Sequence, residues 1–213
     1  MLFRSLLELI RTAGGTGPPR RRRPASEGVR PTVARIVDSM HATPAVVLNG
    51  RLDIPAANAL GRALFAPVYD DQRTPPSNPR FIFLDPRATE FFRDWDIVAN
   101  DTVALLRAEA GHNPHDRRLS DLVGELATRS DDFRVRWAAH DVRIHSTGTK
   151  RLHHPIVGDL DLPFESLALP ADHHQSLVTY TAEPESPTQD ALDLLASWTA
   201  THTAAQDPSG RPT

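Results

Sequence analysis

The sequence contains no cysteine among its 213 residues. Disulfide bonds and thiolate metal sites are therefore excluded, and nothing points to an oxidising compartment. Long apolar runs are also lacking, because none reaches the roughly 18–20 residues that a membrane-spanning helix needs. Glu8 interrupts the apolar N-terminus, and no small-residue cleavage site follows it cleanly, so we expect no signal peptide. These absences predict a cytoplasmic protein without membrane contact.

A strong excess of one charge is lacking as well, since the formal net charge is -3. Nucleic acid binding would therefore have to be local. The candidate is the run of four arginines inside a stretch rich in proline and glycine, Arg20, Arg21, Arg22 and Arg23. Such a run is typical of a solvated linker, and clustered arginines can also contact DNA phosphates. Both interpretations remain open.

Apolar residues at helical spacing predict helices over the first two thirds of the chain. After a short amphipathic segment at the N-terminus, these helices cover Val33–Met40, Asn58–Phe65, Asp85–Gly111, Leu119–Leu126 and Ser130–His140. Asp85 followed by Pro86 is typical of a helix start, so the long helix is expected to run unbroken to Gly111. Asn49-Gly50 predicts a type I′ turn that pairs the strands Ala45–Leu48 and Arg51–Ile54.

The last third of the chain alternates between apolar and polar residues, which is typical of strands with one wet face. Strands are expected around Val142 and Ile144, around Leu160 to Phe164, and over Leu177–Thr181. A closing helix over Gln189–Trp198 precedes a polar tail that we expect to be disordered. This order predicts an α+β fold, in which one five-stranded antiparallel sheet has helices packed on one face.

A basic stretch near the start of the predicted strands is the first candidate site. Arg143, Lys150 and Arg151 are either surface charges or the receptor for a carboxylate or phosphate at the end of an apolar cavity. Aromatic residues are core residues unless the sheet and the helices leave a cavity, in which case they form its wall. The candidates for such a wall belong to the set Phe91, Phe92, Trp95, Phe133, Trp137 and Tyr180.

Metal chemistry is the second candidate, because six histidines fall between residues 140 and 174. The spacing is poor for a metal, since adjacent histidines such as His153 and His154 point to opposite faces of a strand. His140-Asp141 matches a dipeptide of metal-dependent phosphohydrolases, without the flanking ligands. We find no hydrolase triad, phosphate-binding glycine loop or dinucleotide fingerprint. The sequence therefore predicts no enzyme and no cofactor, and a small metal-dependent hydrolase using His140 and Asp141 remains the alternative.

Several segments, in order, resemble the MmyB-like ligand-binding domain that follows an XRE-type helix-turn-helix in actinobacterial transcriptional regulators. The resemblance spans roughly Arg30–Ala200. The segments that carry it are Thr43-Pro44-Ala45-Val46-Val47-Leu48, Ala57-Asn58-Ala59-Leu60, Phe83-Leu84-Asp85-Pro86-Arg87-Ala88, Leu122-Val123-Gly124-Glu125-Leu126, Trp137-Ala138-Ala139-His140-Asp141-Val142-Arg143, Gly148-Thr149-Lys150-Arg151-Leu152-His153-His154-Pro155 and Tyr180-Thr181-Ala182-Glu183-Pro184.

The resemblance implies a PAS-like fold and a sensor of a small ligand, with fatty acids the best-known type. It implies a homodimer that reaches DNA only through a helix-turn-helix, of which residues 1–30 would hold a truncated remnant and linker. Residues 31–200 would form the sensor, and residues 201–213 a disordered tail. We expect Arg143 and Lys150 to bind an anionic head group, with Trp95, Trp137, His140 and Tyr180 around the ligand. The chain has Phe164-Glu165 where the family has Tyr before Glu, and a ligand-free protein-interaction or dimerisation domain remains a further alternative.

Overall fold

The structure, a computed structural model, describes residues 28–71, 73–139 and 147–206. Along the described chain one helix precedes two strands, seven helices, three strands and a final helix. The helices are α1 (Pro31–Asp38), α2 (Ala59–Leu64), α3 (Ala66–Tyr69), α4 (Asn78–Leu84), α5 (Ala88–Phe91), α6 (Trp95–His112), α7 (Arg117–Arg129), α8 (Asp131–Ala139) and α9 (Pro187–Gln206). The strands are β1 (Ala45–Asn49), β2 (Ala56–Ala57), β3 (Thr147–His154), β4 (Gly158–Ala168) and β5 (Gln175–Tyr180).

The five strands form one antiparallel sheet in the order β2-β1-β5-β4-β3. The last strand, β5, therefore lies between β1 and β4 at the centre of the sheet. β3 and β4 form the longest pairing, from Thr147 opposite Glu165 to His154 opposite Gly158. The predicted α+β fold with a PAS-like five-stranded antiparallel sheet is confirmed.

Apolar side chains lie on both faces of the sheet. The larger core fills the space between one face and the helices from α2 onwards. The smaller core lies on the other face, where α1 packs against β1 and β5; its buried members are Val33, Val37, Ala45, Val47 and Leu177. Because successive side chains of a strand point to opposite faces, β1 and β5 contribute to both cores. The main helical layer thus covers one face, while α1 covers part of the other.

The predicted hairpin around Asn49-Gly50 is wrong. β1 ends at Asn49, and it pairs with the two-residue strand β2 instead of with Arg51–Ile54. The side-chain oxygen of Asn49 accepts hydrogen bonds from the backbone N–H groups of Arg51 (2.9 Å) and Asp53 (3.0 Å). Leu52, and not Gly50, adopts a positive φ of 60°. The asparagine side chain therefore satisfies backbone donors that would otherwise be available to a strand ladder.

The predicted unbroken helix from Asp85 to Gly111 is also wrong. Asp85 lies at the end of α4, and a second break separates α5 from α6. At this break Phe92 forms an antiparallel bridge with Leu152 of β3, and the N–H of Arg93 donates to the carbonyl of Arg151 (3.1 Å). The edge strand thus contacts the backbone of the segment that connects the two helices.

The other predicted helices are confirmed with small shifts of their ends. Ser130 precedes α8 and its hydroxyl accepts a hydrogen bond from the N–H of Phe133 (3.1 Å). The predicted end of the last helix at Trp198 is wrong, because α9 continues to Gln206. The predicted N-terminal helix, the arginine run, the strand around Val142 and Ile144, and residues 207–213 lie outside the described residues. None of the helices in the described ranges is sufficiently long and apolar to span a membrane.

Candidate functional site

Lys150 lies on the face of β3 that points toward the helical layer. The exposed residues of this strand alternate with Lys150, Leu152 and His154, and the last two are fully buried. Because Leu152 points inward, Lys150, which lies two positions before it on the same strand, points to the same face. Lys150 is the only lysine among the 213 residues, whose other side-chain cations are arginines or histidines. A lysine on the inner side of a sheet is unusual and needs a physical account.

The surroundings of the Lys150 ammonium are mostly apolar. Its Nζ atom lies 5.4 Å from the centre of the Phe164 ring, which belongs to the neighbouring strand β4. No carboxylate of the described residues lies within ion-pair distance of it, although Asp101 and Asp94 on the helical side favour its charged form from farther away. Burial is the dominant influence and lowers the pKa of Lys150 below its ordinary value. An anionic group placed here would therefore stabilise a charge that the described residues leave without a direct partner.

Tyr180 lies opposite Phe164 in the pairing of β4 with β5. The two rings are 6.3 Å apart, and Phe65 contacts Tyr180 at 5.3 Å. Tyr180 is buried, which raises the pKa of its hydroxyl and keeps the group protonated at neutral pH. We find no hydrogen bond of this hydroxyl within the described residues. Lys150 and Tyr180 thus supply two potential donors next to the same aromatic ring.

Trp95 and Trp137 belong to a second aromatic group between α4, α6 and α8. Trp137 stacks on Phe133 at 5.4 Å, and Phe133 contacts Phe83, which in turn lies 6.2 Å from Trp95. The indole N–H of Trp95 donates to the carbonyl of Ile82 (3.0 Å), so this donor is already used. The structure therefore places the predicted aromatic residues in two groups, one around Tyr180 and one between the two tryptophans.

Arginines cover both tryptophan rings. The guanidinium carbon of Arg136 lies 4.8 Å from the ring centre of Trp95, and that of Arg107 lies 4.8 Å from the ring centre of Trp137. Arg136 also pairs with Asp96 and Asp132. The Nε atom of Arg107 is buried and donates no hydrogen bond within the described residues. Sequence patterns did not single out Arg107, because a lone arginine on a helix is usually a surface charge.

Three sequence-predicted sites lie outside the described residues. These are the second head-group candidate Arg143, the pair His140 and Asp141, and the DNA-contacting candidates Arg20, Arg21, Arg22 and Arg23. The structure therefore provides no test of their roles. Of the ligand-binding candidates it positions Lys150, Trp95, Trp137 and Tyr180.

The histidines of β3 differ in their environments. His153 is exposed and its Nδ1 atom lies 2.6 Å from Asp159, whereas His154 points to the opposite face, as expected, and is buried. His154 is therefore part of the core, whereas His153 faces solvent. Within the described residues no group of three or more potential metal ligands comes together.

Two surface clefts occur near α7, and sequence reasoning missed both. The first has a volume of about 420 Å³, and we call it the arginine cleft; its lining consists of Arg51, Asp53, Arg73, Thr74, Pro75, Arg80, Arg118, Asp121 and Leu122. The second, of about 290 Å³, adjoins it at Arg73 and Arg80 and extends to Arg87. Neither is lined by Lys150, Tyr180 or the tryptophans. The lining of the arginine cleft comes from four separate segments of the chain, so no local sequence pattern could reveal it.

Comparison with known protein families shows that most of the chain matches a family model. The family described as the MmyB-like transcription regulator ligand binding domain matches residues 29–195. This range begins just before α1 and ends within α9, so it includes every strand of the sheet and both aromatic groups. No curated protein matches the chain.

Proposed function

The chain belongs to the family of MmyB-like ligand-binding domains of transcription regulators, and from this membership we propose that its ligand is a small apolar anion of the fatty-acid type. A domain of this family is the ligand-sensing part of a regulator. The proposal adds the chemistry of the ligand, its position and its consequence for DNA binding.

The observation that carries the proposal is the position of Lys150. The side chain extends over the ring of Phe164, toward the core side of the sheet, with no carboxylate of the described residues in direct contact. Keeping a charged ammonium in such surroundings is unfavourable unless another group compensates for it. A carboxylate ligand would form a charge-assisted hydrogen bond with it, and such bonds are about twice as strong as neutral ones.

Tyr180 supports the same head-group position, because it adjoins the same Phe164 ring as Lys150. Its protonated hydroxyl would donate a second hydrogen bond to the carboxylate. Arg143 remains a further candidate for the head group. Apolar contacts for the chain of the ligand would come from the aromatic residues that adjoin Tyr180, including Phe65 and Phe91. Trp95, Trp137 and His140 are proposed as more distant parts of the lining.

The proposed consequence is control of DNA binding. A ligand shifts a conformational equilibrium only if it binds one arrangement more tightly than the other. In our proposal the ligand changes the arrangement of a cytoplasmic homodimer, and an XRE-type helix-turn-helix transmits the change to DNA, with Arg20–Arg23 contacting phosphates. The domain would bind its ligand without converting it chemically and would need no cofactor.

Calorimetric titration with decanoate and with 1-decanol tests the head-group assignment. Decanoate should bind the unmodified protein, and Lys150→Met should weaken this binding by about tenfold or more, as expected for loss of a hydrogen bond to a charged group. The binding of 1-decanol, which has no charge, should change little. Arg151→Met is the matched control. It removes one positive charge at the next position, and Arg151 lies on the exposed face of β3. Equal losses in the two variants would place the head group elsewhere.

A further inference from the structure

The arginine cleft is not lined by Lys150, and its lining is rich in arginine. Four of its lining side chains are arginines, contributed by the turn after β1, the loop before α4, α4 itself and the first turn of α7. Its volume of about 420 Å³ falls within the range of small-molecule sites. Chain segments that are distant in sequence thus bring several guanidinium groups to one concave surface.

Neighbouring carboxylates hold these arginines in place. Arg80 contacts Glu125 through Nε and Nη2, both at 2.8 Å, while Arg73 contacts Asp71 at 3.1 Å. Arg51 contacts Asp53 at 3.2 Å. A guanidinium carries five N–H donors, and each of these contacts uses only some of them. The ion pairs therefore fix the side chains without exhausting their capacity to bind an anion.

Asp53 is the second observation that points to a ligand. Its side chain is only 8% exposed, and its Oδ2 atom accepts hydrogen bonds from Asn49 and Arg51. Its Oδ1 atom accepts none within the described residues. Buried carboxylate oxygens normally have donors, because desolvation without a hydrogen bond is costly. A ligand in the cleft could supply that donor.

We propose that the arginine cleft is a second binding site, which takes a small anion that also carries a hydroxyl group, such as a polyol phosphate. The anionic group binds the planar guanidinium groups, whose fork of donors matches phosphate and carboxylate oxygens. The hydroxyl group donates to Oδ1 of Asp53. An anion without a hydroxyl group binds less well, because Asp53 receives no hydrogen bond from it.

Titrations with glycerol 3-phosphate and methyl phosphate at pH 8, where both phosphate groups are dianions without a P–OH donor, test this proposal by NMR or calorimetry. The unmodified protein should bind glycerol 3-phosphate about tenfold more tightly than methyl phosphate, which has no hydroxyl group, as expected for one extra hydrogen bond to a charged group. Asp53→Asn should remove most of this preference. Its amide oxygen can keep the contacts with Asn49 and Arg51, and its NH₂ group then replaces the acceptor.

Two neighbouring arginines provide a matched pair for the anionic group. Arg118→Gln, in the cleft, should weaken the binding of both phosphates by about tenfold. Arg117→Gln removes the same charge from an exposed position of the same helix outside the cleft, and should change both affinities by less than about twofold. The proposal is wrong if neither phosphate binds saturably, if the two arginine variants behave alike, or if the preference survives Asp53→Asn. Decanoate binding is measured separately, so failure here leaves the function proposed for Lys150 intact.

Discussion

Two polar residues point inward from β3, and their hydrogen bonding differs in an informative way. His154 is fully satisfied: Nε2 donates to the carbonyl of Ala63 (3.0 Å), while Nδ1 accepts from the N–H groups of Ile156 (3.2 Å) and Val157 (3.4 Å). Lys150 has the ring of Phe164 and no direct carboxylate among the described residues. A buried polar group whose partners lie within the fold is structural, whereas one that lacks them is a candidate for ligand binding.

His154 should make the stability of the domain depend on pH. Burial lowers the pKa of His154, and the nearby His153 lowers it further, against the opposing hydrogen bond to Ala63. The unfolded chain therefore takes up a proton at this site more readily, so the free energy of unfolding should fall as pH decreases below about 6.5, by at most about 1.4 kcal/mol per pH unit. Urea denaturation between pH 7 and pH 5 measures this slope. His154→Gln should reduce the slope, and an unchanged slope in this variant would contradict the role assigned to His154.

Lys150 should affect stability at the alkaline end. Burial lowers its pKa in the folded state, so the charged form costs stability at neutral pH. Stability should rise as pH increases through the lowered folded pKa toward the ordinary value of 10.5, and then level off. Lys150→Met removes this dependence and should be at least as stable as the unmodified protein at pH 7. A marked loss of stability in Lys150→Met would show that the ammonium has a structural partner.

At the scale of elements, Asn58 connects the segment after the first helix with the first strand and the second helix. Its side-chain oxygen accepts from Gly61 (2.7 Å), at the start of α2, and from Ala45 (3.1 Å) of β1. Its NH₂ group donates to the carbonyls of Met40 (2.5 Å) and Thr43 (2.7 Å). Gly61 is required at this junction, because a Cβ atom there would lie 2.5 Å from the Ala45 carbonyl. One capping side chain thus fixes the segment that connects α1 with β1.

Asn58→Ala should lower the free energy of unfolding by about 2–4 kcal/mol, since it removes a helix cap and leaves buried backbone groups unpaired. Asn58→Asp should also be destabilising, because it keeps the acceptor but faces two carbonyl oxygens with a carboxylate. Chemical denaturation measures both. Asp116→Ala is the control, as it removes the cap of α7 at a less buried position and should cost only about 1 kcal/mol. A similar small cost for Asn58→Ala would contradict the role assigned to it.

The break between α5 and α6 gives the second test at this scale. Phe92 is fully buried at the point where the helical layer meets β3, whereas Ile97, five residues later, is 57% exposed. Phe92→Ala should lower the free energy of unfolding by about 3–5 kcal/mol through the cavity it leaves. Ile97→Ala should change it by less than about 0.5 kcal/mol. Equal effects would mean that the contact with β3 does not anchor the layer.

Local signals predicted some elements well and failed where distant contacts intervene. Apolar residues at helical spacing indicated α2 and α8, because this pattern depends only on residues within each helix. The break at Phe92 was missed, since it depends on an edge strand some sixty positions later in the chain. The hairpin at Asn49-Gly50 was predicted wrongly because the asparagine side chain, and not the glycine, organises the turn.

For the molecule as a whole, the α+β class with one five-stranded antiparallel sheet and the family could be predicted, and the sites only in part. Alternation along β3 is enough to turn Lys150 inward once Leu152 is assigned to the core. The neighbours of Lys150 on α6 could not be inferred, because no sequence pattern relates the two elements. The arginine cleft depends on four segments that only the folded chain brings together.

The central claim is that Lys150 binds the anionic head group of the ligand, and NMR of this side chain tests it most directly. Because the chain has a single lysine, reductive methylation with ¹³C-formaldehyde labels only Lys150 and the terminal amine. Without ligand, the pKa of Lys150 should lie below 10.5. Decanoate should shift the signal and raise this pKa, because a nearby carboxylate favours the charged form, whereas 1-decanol should not raise it. Binding of decanoate with no change in the titration of Lys150 would contradict the account.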